Sequence, residues 1–185
     1  MMRAAIVGVL LAAGQSRRFG SNKLLHRLDD GVPMAVASAR HLRALLPEAV
    51  AVVDDTGGEV ATLLRQEGLR LVANPRAAEG MGTSIACGVA ASADAAGWVI
   101  ALGDMPYVPE SVIGAVVSGL QAGSEIIAPV YRGQRGHPVG FSARHAQALM
   151  ELRGDEGARG IIAAHQGSLD LVDVVEPGVL VDIDR

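Results

Sequence analysis

Aromatic residues are almost missing from this chain of 185 residues: two Phe, two Tyr and one Trp. Proteins that hold single-stranded nucleic acid stack bases on such rings, and few platforms are available. Positive charge is also short. Sixteen Lys and Arg face 20 Asp and Glu, a formal net charge of −4 with a pI near 5.7. Duplex DNA repels such a surface unless cations are concentrated locally, so no nucleic-acid partner is expected. Arg17-Arg18 with Lys23 is the one local concentration. Cys87 is the single cysteine, which excludes a disulfide framework and a multi-cysteine zinc site. Following Ile85-Ala86 in an apolar run, it reads as a core thiol more than a reactive one. Disorder is excluded by 50% apolar content, 19% charged residues and a mean hydropathy of +0.31.

Alanine and glycine fill the space that aromatics leave: the sequence holds 30 Ala and 23 Gly. Its length suits one domain over residues 1–185 and buries a core without staples. Met1-Met2-Arg3 followed by Ala4–Ala13 imitates a signal peptide. The run is too short for a bilayer span of about 20 residues. The basic, turn-rich Gly14–Gly20 behind it suits the end of a buried strand, so a cytoplasmic protein with no membrane partner is expected.

Short apolar runs alternate with Ala-rich amphipathic stretches. Strands are expected at Ala4–Leu11, Ala49–Val53, Leu69–Ala73, Trp98–Leu102, Glu125–Pro129, Pro138–Phe141 and Leu171–Val174. Helices are expected at Pro33–Leu46, Gly58–Glu67, Thr83–Ala91, Pro109–Leu120, Ala143–Leu152 and Ala158–His165. Continuous apolar runs suit strands covered on both faces, and the alternation implies right-handed crossovers. Between Ile126 and Phe141 there is no room for a crossover helix, so that pair is expected to be antiparallel. The expected fold is α/β: three layers around a mainly parallel mixed sheet.

Leu11-Ala12-Ala13-Gly14-Gln15-Ser16-Arg17-Arg18-Phe19-Gly20-Ser21-Asn22-Lys23 carries the strongest chemical signal. Ligands of open α/β sheets bind beyond the carboxyl ends of strands, and glycines let backbone N–H groups converge on an anion. Arg18 and Lys23 could neutralise a polyphosphate; a solvated basic turn is the alternative. The spacing fits neither a Walker loop nor a dinucleotide fingerprint. Gly103-Asp104-Met105-Pro106 places a carboxylate at the end of another strand, where it could hold Mg²⁺ with substrate phosphates or cap a helix. Asn74-Pro75 and Glu79–Ser84 offer small residues and amides for a base or ribose, or merely start a helix. His137 and Arg159, each in a Gly-rich cluster, could meet an anionic second substrate or sit at helix ends. His26, His41, His145 and His165 show no metal-ligand spacing and are expected at the surface or at helix ends.

These motifs together resemble the molybdenum cofactor cytidylyltransferases, within the MobA-like nucleotidyltransferase superfamily. The family's Leu-Ala-Ala-Gly-x-Ser-x-Arg-Met/Phe-Gly-x-x-Lys matches Leu11 to Lys23, and Asn-Pro…Gly-Met-x-x-Ser matches Asn74 to Ser84. Gly-Asp-Met-Pro, Gly-His-Pro-Val and Gly-Asp-x-Gly-Ala-Arg match residues 103–106, 136–139 and 154–159. The resemblance implies a Rossmann-like fold and transfer of a cytidylyl group from CTP, with Mg²⁺, to the phosphate of molybdopterin, releasing pyrophosphate. It implies nucleotide contacts at Leu11, Ala12, Ala13, Gly14, Ser16, Lys23, Asn74, Gly82 and Ser84. Lys23, Arg18 and Asp104 would be catalytic, with Asp104 and Asp184 holding metal. The partners implied are CTP, or GTP as in related guanylyltransferases, a phosphorylated pterin, and a recipient molybdoenzyme. Ala12-Ala13-Gly14 resembles the cytidylyl branch, where the guanylyl branch carries Leu-Ala-Gly-Gly. The family's closing Asp-Ile-Asp-Thr-Pro-Glu-Asp-Leu is matched only by Asp182-Ile183-Asp184, which leaves truncation and a different acceptor arrangement both open. Two other classes are kept in view: a non-catalytic nucleotide-binding regulator, and an oxidoreductase on the same fold.

Overall fold

The first apolar run becomes the strand around which the rest is ordered. A computed structural model describes residues 4–14 and 22–183 of the chain. Strands β1 (Ile6–Leu11), β2 (Ala49–Val53), β3 (Arg70–Ala73) and β4 (Gly97–Leu102) are mutually parallel in the order β3-β2-β1-β4. Antiparallel β7 (Val139–Ser142) then joins β4 to β5 (Ile126–Tyr131). β5 also pairs with β6 (Gln134–Arg135) and, in parallel, with β8 (Leu169–Asp173). The mixed, mainly parallel sheet is the one expected. Its hairpin is tighter than read from sequence: Arg132 and Gly133, both at positive φ, form a two-residue turn into β6.

Side chains along β1 alternate between two cores, since successive Cβ atoms point to opposite faces. Val7, Val9 and Leu11 share one core with side chains of α3 (Met81–Ala90), α5 (Ala146–Met150) and α6 (Arg159–Ala164). Leu10 and Ala12 share the other core with side chains of α1 (Met34–Leu45), α2 (Glu59–Gln66) and α4 (Glu110–Ala122). Helices lie close to the sheet because glycines admit them. A Cβ on Gly88 of α3 would stand 2.5 Å from Val9 Cγ1, and one on Gly140 of β7 2.8 Å from Val116 Cγ1. Trp98 and Phe141 are the aromatic members of the core and are fully buried; the Trp98 indole N–H donates to Ser92 Oγ at 3.0 Å.

Differences from the sequence reading are local. The expected helix 143–152 divides into a 3-10 turn at Ala143–His145 and the short α5. Cys87 is half-buried at the edge of the core, not within it. His145, expected at the surface or a helix end, ends that 3-10 turn but is buried, edge-on to Phe141 and His165. Its place in sequence beside Arg144 and Gln147 gave no sign of this, because the cover comes from α6 and β7. No helix among the described residues is long and apolar enough to cross a membrane.

Candidate active site

The carboxyl ends of β1 and β4 lie side by side, Leu11 registered against Leu102, and both open into a cleft of about 340 Å³. Gly103 N–H donates to Leu11 C=O at 3.0 Å, so the turn after β4 is tied to the end of β1. Ser38 on α1 adds a second tie. Its hydroxyl is 3.0 Å from Gly103 C=O and 3.2 Å from Met34 C=O. Asp104 is thereby held at the cleft rather than capping a helix; α4 begins after Pro109 without a side-chain cap.

Lys23 lines the same cleft. Asn22 caps the 3-10 turn Lys23–Leu25 by accepting Leu24 N–H at 3.0 Å, and Leu24 is buried in the core. That anchor turns Lys23 toward Asp104, with Nζ and Oδ2 2.7 Å apart. Each side chain is only about one-fifth exposed (20% and 21%), so the pair is partly desolvated and stronger than a surface ion pair. Leu11, Ala13, Gly14 and Ser84 line the same cleft. Ser16, Arg18 and Asp184 lie outside the described residues.

Three expected contacts take other positions. Ala12 points into the core beneath the cleft. Asn74 is buried (1% exposed) with its amide engaged by Arg76, Thr83 and Ser84. Gly82 is packed against the loop before α6: its N–H donates to Gly154 C=O at 2.8 Å, and a Cβ would lie 2.7 Å from Arg153 O. Gly80, at φ 121°, is pressed against the same loop, a Cβ there falling 2.4 Å from Asp155 Oδ1. The Gly80–Gly82 and Gly154–Gly157 motifs are thus two halves of one interlocked joint. Helix α3 starts at Met81 with Gly80 as its cap, so neither Thr83 nor Ser84 serves as N-cap.

A second cleft of about 410 Å³ adjoins the first, and Met81, Leu102 and Asp155 belong to both walls. Its lining is apolar at Ile85, Ile100, Met105 and Phe141; its charged lining residues are Arg135 and Arg159 on one side of the balance and Asp155, Glu156 and Asp182 on the other, with His137 beside them. His137 and Arg159 are therefore brought together, away from the nucleotide-loop residues. Burial, chiefly, and then Arg135 hold the His137 imidazole below its usual pKa, with Arg159 acting likewise and Asp104 opposing. Its buried Nδ1 has no hydrogen-bond partner among the described residues. The chain's last described stretch braces this side: His137 N–H donates to Val179 C=O at 2.9 Å, and Ile183 N–H to Asp104 C=O at 3.0 Å. Asp155, Arg135 and Ser38 were not singled out from sequence. A serine four residues after Met34 on the apolar face of α1 was the one available sign for Ser38.

A hard carboxylate oxygen at Asp104 suits a cation such as Mg²⁺, which needs only one or two carboxylates when substrate phosphates supply the rest. Among the described residues no three acidic, His or Cys side chains converge as a self-sufficient metal cage. A glycine-lined strand end, a lysine–aspartate pair and an adjoining second cleft on an open α/β sheet suit a nucleotidyltransferase. Comparison with known proteins agrees. The chain belongs to the MobA-like NTP transferase domain family, whose model matches residues 8–169. It is 31% identical to purine catabolism protein PucB of Bacillus subtilis (strain 168), over 97% of this chain and 91% of that protein. It is 28% identical to nicotine blue oxidoreductase of Paenarthrobacter nicotinovorans, over 97% and 92%. The crystal structure of Rv0371c from Mycobacterium tuberculosis H37Rv superposes with a TM-score of 0.85 at 25% identity, covering 99% of this chain and 94% of that one. A manganese complex of Rv0371c has the same fold at 24% identity and TM-score 0.78, covering 100% and 95%.

Proposed function

We propose that this chain transfers a cytidylyl group from CTP to the terminal phosphate of a molybdopterin cofactor and releases pyrophosphate. The observation that carries the reading is the Lys23–Asp104 pair in a cleft sharing a wall with a second cleft, which Arg135 and Arg159 help to line. Two substrates can then lie with their reacting ends at Met81, Leu102 and Asp155. The triphosphate occupies the first cleft, its negative charge met by Lys23 and, from the sequence motif, Arg18. The acceptor lies over the apolar lining of the second, its phosphate facing Arg135, His137 and Arg159.

An acceptor phosphate oxygen attacks the α-phosphorus in line; the new P–O bond forms as the bond to the β-phosphate oxygen breaks, and pyrophosphate leaves. A phosphate monoester is already nucleophilic at neutral pH, so positioning and charge neutralisation supply the catalysis. Asp104 would hold Mg²⁺ with, from the sequence motif, Asp184; bound there it would neutralise phosphate charge. Lys23 leaves Asp104 for the phosphates of the nucleotide and stabilises the charge of the departing pyrophosphate.

Lys23→Ala and Asp104→Ala are each expected to lower turnover by at least about a hundredfold with an unchanged far-UV spectrum. Pyrophosphate release with CTP or GTP and molybdopterin cofactor measures this, and wild-type rates in either variant would overturn the assignment. Release with GTP but not CTP would move the chain to a guanylyl activity. CTP binding without release for any acceptor would make it a regulator. The kinship with a protein named as an oxidoreductase motivates a further arm: binding of NAD(P)H in preference to nucleoside triphosphates would replace this reading with redox chemistry.

A further inference from the structure

One side chain near the first cleft does not line it, yet holds one that does. Asn74 follows β3, and its Oδ1 accepts the backbone N–H of Arg76 at 3.0 Å. That contact identifies the two ends of the amide, because only the oxygen can accept from a backbone N–H. The NH₂ end must then face two hydroxyls, and Nδ2 lies 2.9 Å from both Thr83 Oγ1 and Ser84 Oγ. Both amide hydrogens are engaged. Thr83 places its own proton on the carbonyl of Gly80 (2.8 Å) or Arg76 (3.0 Å). Ser84 accepts from Asn74, lines the cleft, and is buried (5% exposed), but its proton has no acceptor among the described residues. A hydroxyl so placed is a donor toward whatever fills the cleft.

We propose that Asn74 is a specificity-determining positioning residue: by donating to Ser84 it commits that hydroxyl to donate into the cleft, which thereby selects a nucleobase presenting a hydrogen-bond acceptor there. The inference rests on reading the first cleft as the nucleotide site. A keto oxygen or an unprotonated ring nitrogen satisfies the Ser84 proton. An exocyclic amine or ring N–H turned to the same point does not, and leaves two donors opposed.

Asn74→Asp preserves shape and inverts polarity. A buried carboxylate only accepts, so Ser84 turns its proton inward and shows the cleft a lone pair instead. Equilibrium dissociation constants for CTP, UTP, GTP and ATP, measured calorimetrically on the full chain, test this. Ser84→Ala is expected to weaken the preferred nucleotide by about three- to tenfold and to narrow its advantage over the others. Asn74→Asp should narrow that advantage further. Should Asn74→Asp fail to fold, Asn74→Ala takes its place. It frees the Ser84 hydroxyl to rotate, and the preference should fall to the Ser84→Ala level. Equal weakening of all four nucleotides would place Ser84 on ribose or phosphate and overturn the inference, as would unchanged preference in the variants. A wild-type chain that binds none of the four would overturn the reading of the cleft as well.

Discussion

Lys23 is the only lysine in the chain, every other basic side chain of this type being arginine. A compact ammonium on a flexible stem can move between Asp104 and a phosphate, whereas a planar guanidinium favours a fixed fork. The residue was legible from its motif; its pairing with Asp104, 81 positions away, was not. His145 shows the opposite case, a residue whose environment nothing local predicts. Burial, foremost, and then the neighbouring His165 hold its pKa below 6.5, Arg144 acting likewise and Glu125 opposing. His137 is depressed as well. Below pH 6.5 the unfolded chain takes up protons that these folded sites refuse, so stability is lost as pH falls through the folded pKa values. Thermal unfolding followed from pH 7.5 to about 5 should show a falling midpoint, and His145→Phe should flatten part of that slope. An unchanged slope in the variant would exclude His145 as a source.

At the scale of elements, the most consequential contact joins the start of α3 to the loop before α6. Gly80 and Gly82 on one side press against Arg153, Gly154 and Asp155 on the other. Gly80→Ala meets both a left-handed backbone and a Cβ 2.4 Å from the Gly154 carbonyl carbon. It is expected to cost about 1–3 kcal/mol, read as a lower urea midpoint, and to weaken ligand binding because the joint forms a wall of both clefts. A midpoint equal to wild type would show that the loop can withdraw freely. Both glycine motifs stand out in the sequence, and the elements flanking them fall within a few residues of their expected bounds. Their interlock was illegible, because the first motif reads as a contact for a base or ribose and the second as a Gly-rich cluster around Arg159, and nothing local joins them. The helix 143–152 was misjudged for a related reason: Ala-rich periodicity predicts one helix, while the turn at His145 is set by packing against Phe141 and His165.

For the whole molecule, separation of the clefts is the feature with functional consequence. Arg159 touches only the second cleft and Lys23 only the first. Arg159→Ala is therefore expected to raise the acceptor KM by about tenfold while leaving the nucleotide dissociation constant within about twofold. Steady-state kinetics paired with equilibrium nucleotide binding would show the split, and equal losses in both would mean that one ligand spans both clefts. Sequence alone determined most of the strands and helices, the mixed sheet and the glycine-bearing end of β1, because each rests on hydrophobic period, helix-forming alanine and glycine spacing within a short window. The scarcity of aromatics, met first as an absence, is read the same way: small residues let helices lie close on the sheet. Only the tertiary structure decided that Asn74 and Gly82 support the cleft instead of lining it, that Lys23 pairs with Asp104, and that Asp155 stands between two clefts. Those facts depend on the loops that strand order brings together at one edge of the sheet, and no local pattern encodes distances between residues remote in the chain.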